Sequence, residues 1–116
     1  MTEIFDKPVE NPPTGVYSII KEFAIAEVNF TWMSEVKELF PEEWDILHKN
    51  HNSAADAAIH LWMKQYMPEM YNWLMTQNID WIGFTDSTWI DNEIHEFLYI
   101  RMHKEKDVTA FRLTWC

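Results

Sequence analysis

The sequence predicts an α+β fold in which central helices pack on a small, late antiparallel sheet within a single domain. Three observations carry that expectation. Apolar residues recur at three- and four-residue spacing through the middle of the chain. They alternate with polar residues after Asn78. The chain has 116 residues with 47% apolar and 24% charged, the range of one globular domain rather than a disordered segment.

Residues 1–15 carry Pro8, Pro12, Pro13 and Gly15 with few regular apolar positions and read as an extended arm, leaving residues 16–116 as the compact domain. Val16, Ile19, Ile20 and Phe23 have helical spacing, whereas Val28, Phe30 and Trp32 alternate; the reading is a short helix followed by a strand. Ser34 is placed to cap a helix bearing Val36, Leu39, Phe40, Trp44 and Leu47 on one side. Pro41 interrupts it, so the segment is either one helix or two, the second starting with Pro41 in its first turn. Asn52-Ser53 then breaks the chain and caps the strongest helix, with Ala55, Ile59, Trp62, Met63 and Tyr66 along one face. Pro68 kinks or restarts it, and Met70, Trp73 and Leu74 continue to about Gln77.

Beyond Asn78, residues 79–85 read as a short strand and Asp86-Ser87-Thr88 as a turn. Residues 96–103 read as a strand with Leu98, Ile100 and Met102 on one face and Phe97, Tyr99 and Arg101 on the other. The last segment admits two readings. Thr109, Phe111, Leu113 and Trp115 alternate as a strand closing a hairpin, or Asp107 caps a helical turn bearing Val108, Phe111 and Trp115; the β-rich composition favours the hairpin.

Composition bounds the chemistry. Nineteen Asp and Glu against nine Lys and Arg give a formal net charge of −10, and the acidity belongs to residues 1–100, which hold seventeen acids and five bases. Such a balance repels phosphates, so direct nucleic-acid binding is not expected and a protein partner with a basic surface is. With only two glycines, Gly15 and Gly83, a Gly-rich nucleotide cradle is excluded. Cys116 is the one cysteine, which rules out an internal disulfide and fits a reducing compartment. No basic leader and no apolar run of roughly 20 residues is present, so no membrane association is expected.

Asp45, His48 and His51 are spaced by three, and His60 follows Asp56 by four, a spacing with which two helices can present a nitrogen and oxygen cluster to a metal. No His-Glu-x-x-His or repeated Glu-x-x-His pattern accompanies them, and the ordinary reading is helix-end and surface histidines, with no metal and no cofactor. None of Ser18, Ser34, Ser53 and Ser87 sits in a glycine-flanked elbow, and the pair Glu42-Glu43 needs burial to act as an acid or base; no enzymatic activity is expected. If residues 34–47 are one helix, Glu35, Glu38, Glu42 and Asp45 form a stripe with neighbours about 5 Å apart along the axis, similar to a phosphate ladder. Eighteen aromatic residues, seven of them Trp, supply the other interaction signal. Trp81, Phe84 and Trp89 cluster around the expected turn as hydrophobic anchors for a partner or for self-association.

The ending Lys106-Asp107-Val108-Thr109-Ala110-Phe111-Arg112-Leu113-Thr114-Trp115 resembles a C-terminal signature of small uncharacterised proteins from tailed phages. That resemblance implies a viral origin and no particular activity. Ala58-Ile59-His60, Pro68 and Tyr71, followed by Ile79-Asp80 and Asp86-Ser87, are similar to a segment of the Ocr-type phage anti-restriction DNA mimics. Those proteins look wholly helical and more acidic, so their fold is not carried over. The expectation is a phage-type acidic protein, in the cytoplasm of an infected cell or within a virus particle, that binds and inhibits a host defence or nucleic-acid-processing protein. The alternative is a virion assembly protein that self-associates.

Overall fold

The computed structural model describes residues 2–11, 20–51 and 53–116. In chain order the elements are β1 (Glu3–Glu10), β2 (Lys21–Val28), α1 (Trp32–Leu39), α2 (Pro41–Leu47), α3 (Ala54–Tyr66), α4 (Pro68–Thr76), β3 (Trp81–Ile90), β4 (Glu93–Met102) and α5 (Glu105–Trp115). The fold is α+β, with four helices central in the chain. The sheet is only half late: its order is β1-β2-β4-β3, so its first two strands come from the N-terminal part. The chain divides into two compact units, Met1–Asn29 with Asp80–Cys116 and Phe30–Ile79, whereas the sequence reading drew its one boundary after residue 15.

In the sheet unit every pairing is antiparallel. Residues 3–10 of the expected arm are the edge strand β1, and Pro8 is tolerated there because an edge position does not require its missing N–H. The arm's Pro12, Pro13 and Gly15, and Val16 and Ile19 of the expected short helix, lie outside the described residues. Lys21–Val28 is a strand where helical spacing ran up to Phe23. Between two partner strands, Phe23, Ala24, Ile25 and Ala26 are all buried, and a strand covered on both faces loses the alternation that would have revealed it.

β3 and β4 pair without a break from Trp81 opposite Met102 to Ile90 opposite Glu93. The turn is therefore Asp91-Asn92, and the expected turn residues Asp86, Ser87 and Thr88 lie inside β3. Asp91 and Asn92 have φ of 49° and 67°, the paired left-handed conformation of a two-residue type I′ hairpin, which their short polar side chains tolerate. Leu98, Ile100 and Met102 are fully buried on one face of β4, as the alternation predicts.

The chain ends in helix α5, not in a hairpin strand. Alternation would put Phe111 and Leu113 on one face, yet Phe111 is fully buried and Leu113 is 84% exposed. Val108 and Phe111, three apart, form the buried face, and the Phe111 ring meets Phe23 of β2 with centroids 4.7 Å apart. Asp107 accepts a hydrogen bond from the Asp80 backbone N–H at 3.2 Å, and Arg112 pairs with Glu10 of β1. Helix N-capping falls to Lys104, so Asp107 ties α5 to the start of β3 instead.

In the helical unit the segment expected at 34–47 is two helices. Phe40 and Met67 leave the helical region in nearly the same way, at φ −133°, ψ 59° and φ −135°, ψ 57°, and each precedes a proline that starts the next helix. Steric conflict with a following proline pushes the preceding residue out of the α region, so both breaks have one cause. Ser53 caps α3 by accepting the Asp56 N–H at 3.1 Å. Asp56 to Met63 are all buried, so α3 is enclosed on every side beyond the predicted stripe, and Tyr66 at the stripe's end is exposed. α4 is closed by Asn78, two residues past its end at φ 54°, where Ile79 N–H bonds to Leu74 O and Asn78 N–H to Met75 O, the Schellman arrangement.

Candidate functional site

Two places in the described residues combine chemistry with accessibility. The first is built around the start of α3. Its Ser53 cap fixes the first turn, which puts Asp56 at the third helical position and His60 one turn later on the same face. His51, in the segment before the cap, turns back so that its Nδ1 lies 2.6 Å from Asp56 Oδ2. His60 Nε2 is 3.8 Å from Asp56 Oδ1, and the two imidazole centroids are 4.3 Å apart. From α4, the Tyr71 hydroxyl lies 3.1 Å from His60 Nδ1, with its ring edge-on to the imidazole.

Asp56 is 3% exposed and His60 9%, so a carboxylate and an imidazole share a nearly dry position. Burial lowers the His60 pKa to about 4 against the raising effect of Asp56, and the neighbouring His51 lowers it further. His60 is thus neutral at pH 7 and keeps nitrogen lone-pair capacity. Burial raises the Tyr71 pKa, with Asp56 and Glu43 adding to it, so the phenol keeps its proton. Of the histidines and acids singled out from the sequence, the fold brings together His51, Asp56 and His60. It leaves out His48, which caps α2 with Nδ1 2.7 Å from Trp44 O and its ring stacked on Trp44, and Asp45, which is exposed. Sequence spacing does not link Tyr71 to this cluster: it lies eleven residues beyond His60, across the Met67 break.

The second place is the end of the β3–β4 hairpin. The I′ turn carries the strand ends outward, leaving Trp89 70%, Ile90 42% and Ile94 44% exposed. Trp89 and Ile94 are cross-strand partners on one face; Asp86 and Glu93 are exposed on the other face, and Asp91 in the turn. Further down the ladder, on the other face, Phe84 stacks on Tyr99 at 4.9 Å and Arg101 lies 4.4 Å over the Phe84 ring while pairing with Glu22 at 2.9 Å. On that face His95 Nδ1 also meets Glu27 at 2.9 Å, a hydrogen bond that raises the His95 pKa.

The three expected aromatic anchors therefore do not form one patch. Trp89 is exposed at the hairpin end; Trp81 shares its face but is 8% exposed at the opposite end of β3, eight residues or about 27 Å away; Phe84 faces the other side and is half-buried. The acidic ladder is likewise divided. Glu35 and Glu38 lie on α1, Glu42 and Asp45 on α2, and the break at Phe40 removes the continuous helix that even spacing requires. All four are exposed, and Glu42 and Glu43 line a shallow depression with Leu39, Phe40 and Pro41 at that break.

Cys116 is held rather than free-swinging, its N–H bonded to Arg112 O and its Sγ 3.9 Å from Pro8 O. Partial desolvation and the Glu10 carboxylate push its thiol pKa up, which makes it a poor nucleophile at neutral pH. Among the described residues no helix is long and apolar enough to cross a membrane. No protein-family model, no curated protein and no solved structure matches the chain.

Proposed function

We propose that this chain is a small acidic binding protein that docks on a protein partner with a basic surface, using the end of the β3–β4 hairpin as its contact. The observation that carries the reading is Trp89, a tryptophan 70% exposed beside its cross-strand partner Ile94 at the end of a hairpin that also exposes Asp91 in its turn and Asp86 and Glu93 on its opposite face. Indoles exposed to this degree are costly to leave in water and are over-represented among the residues that dominate interfaces. The carboxylates of the hairpin end and the net charge of −10 select a basic partner by steering and by complementarity. Glu35, Glu38, Glu42 and Asp45 add to that field as two short rows.

The resemblance of residues 106–115 to small tailed-phage proteins directs the search to host defence and nucleic-acid-processing enzymes, whose substrate grooves are basic. In this reading the chain inhibits by occupying such a groove, and the anchor is the hairpin rather than a continuous phosphate-like ladder. The test is capture from host lysate with the tagged chain at low and high salt, beside Trp89→Ala and a variant with the four helix acids replaced by Gln or Asn. Salt-sensitive capture of a nucleic-acid enzyme, lost with Trp89→Ala and accompanied by loss of that enzyme's activity, is the expected result. Capture insensitive to both variants overturns the reading.

One observation favours self-association as the second reading: β3, a ten-residue strand with apolar residues at its outer end, forms an edge of the sheet. A stable oligomer that persists in high salt on light scattering, and that Trp89→Ala dissociates, would favour an assembly role over inhibition.

A further inference from the structure

His51, Asp56 and His60 each bring one ligating atom to a common point, all within 4.8 Å of one another. In a tetrahedral zinc site with metal–ligand bonds of about 2.0–2.2 Å, neighbouring donor atoms stand roughly 3.3–3.6 Å apart. His60 Nε2 and Asp56 Oδ1, at 3.8 Å, already have nearly that separation, and Asp56 and His60 are fixed relative to each other by one turn of α3. His51 Nδ1 and Asp56 Oδ2, at 2.6 Å, stand closer because they share a hydrogen directly; an ion replacing that proton needs the His51 ring to move back by about 1 Å. His51 lies in the segment before the helix and is only half-buried, so the ligand that has to shift is also the accessible one.

The surroundings of His60 match what metal-bound histidines need. Its rear nitrogen, Nδ1, is held at 3.1 Å by the Tyr71 hydroxyl, the kind of hydrogen bond that fixes the tautomer and aims Nε2 at the ion. Tyr71 sits on α4 and is oriented edge-on to the ring, so its hold on His60 does not depend on the ion.

We propose that His51, Asp56 and His60 form a binding site for a divalent transition-metal ion, Zn²⁺ foremost, with Tyr71 as a positioning residue. Two imidazoles and one carboxylate suit borderline ions such as Zn²⁺, Co²⁺ or Ni²⁺ better than Mg²⁺ or Ca²⁺, which prefer all-oxygen shells. Three protein ligands leave the fourth tetrahedral position for water or a small anion. The site is independent of the hairpin and of partner binding.

The test uses the full chain freed of metal with chelator and titrated with Zn²⁺ alone, read by calorimetry and by the imidazole nitrogen NMR signals of the wild type. One ion per chain is expected, shifting His51 and His60 while His48, His95 and His103 stay in place. Asp56→Asn and His51→Ala should each weaken binding by about 100-fold, Tyr71→Phe by about tenfold, and His95→Ala not at all. The NMR readout needs no variant, so a substitution that unfolds α3 does not blunt the test. No bound ion, an ion that shifts other histidines instead, or an affinity indifferent to Asp56→Asn would overturn the proposal and leave the cluster as the pin between the His51 turn and α3.

Discussion

The two units treat histidine and charge in opposite ways. In the helical unit His60 is buried, neutral, and locked between a carboxylate and a phenol. In the sheet unit His95 is hydrogen-bonded to Glu27, which raises its pKa and so favours its charged form. Burial decides the first case, because removing an imidazolium from water outweighs the attraction of one nearby Asp; the hydrogen bond decides the second, because little desolvation opposes it. One unit has a buried polar cluster, and the other has an exposed aromatic and acidic hairpin end.

The largest way to break the comparison is through the sheet unit's core. Phe111→Ala should cost about 3–5 kcal/mol by emptying the contact with Phe23, measured by urea unfolding. A loss under about 1 kcal/mol would mean that α5 does not depend on that contact.

Next comes pH, measured on the metal-free chain. The folded His60 pKa, about 4, lies below its unfolded value near 6.5, so its contribution is present above pH 6.5 and is lost as pH falls through 4. That loss is on the order of 3 kcal/mol. The His95 pKa is raised, so its smaller contribution is present below pH 6.5 and fades as pH rises through the folded value. His60→Gln should flatten the acid limb of the stability profile and His95→Gln the upper limb. The same limb flattened by both would show that the units are not opposed in this way.

Local structure gives smaller effects. Ser53→Ala should cost about 1 kcal/mol through the lost cap, and Asn92→Ala about 1 kcal/mol because alanine resists positive φ. Smallest of all on stability is Trp89→Ala, within about 0.5 kcal/mol, although it should remove partner binding.

What was legible in the sequence follows the same division. The helical unit could be read for its breaks, since Pro41, Pro68, Ser53 and Asn78 are local signals that act over one turn, although Ser34, read as a cap, and Trp32, read as strand, both lie inside α1, whose N-cap position is Thr31. The sheet unit could not. β1 contains a proline that only its edge position permits, β2 is covered on both faces and so lacks alternation, and α5 stays open between strand and helix, with the strand favoured, because Phe111 and Leu113 are both apolar although only Phe111 finds a partner. The hairpin turn was displaced because Asp91-Asn92 performs a role usually signalled by glycine. The spacing of Asp56 and His60 was visible, and so was His51, but grouped with Asp45 and His48; His51 joins Asp56 through a fold-back and Tyr71 joins His60 through a second helix, links that sequence spacing does not show.

The central claim is that the hairpin end, not the helix acids, makes the contact with a partner. Hydrogen–deuterium exchange of the chain with and without its captured partner tests this most directly. The account predicts slowed exchange across residues 86–95 with little change in α1 and α2. Protection confined to α1 and α2, with the hairpin exchanging as in the free chain, would contradict it.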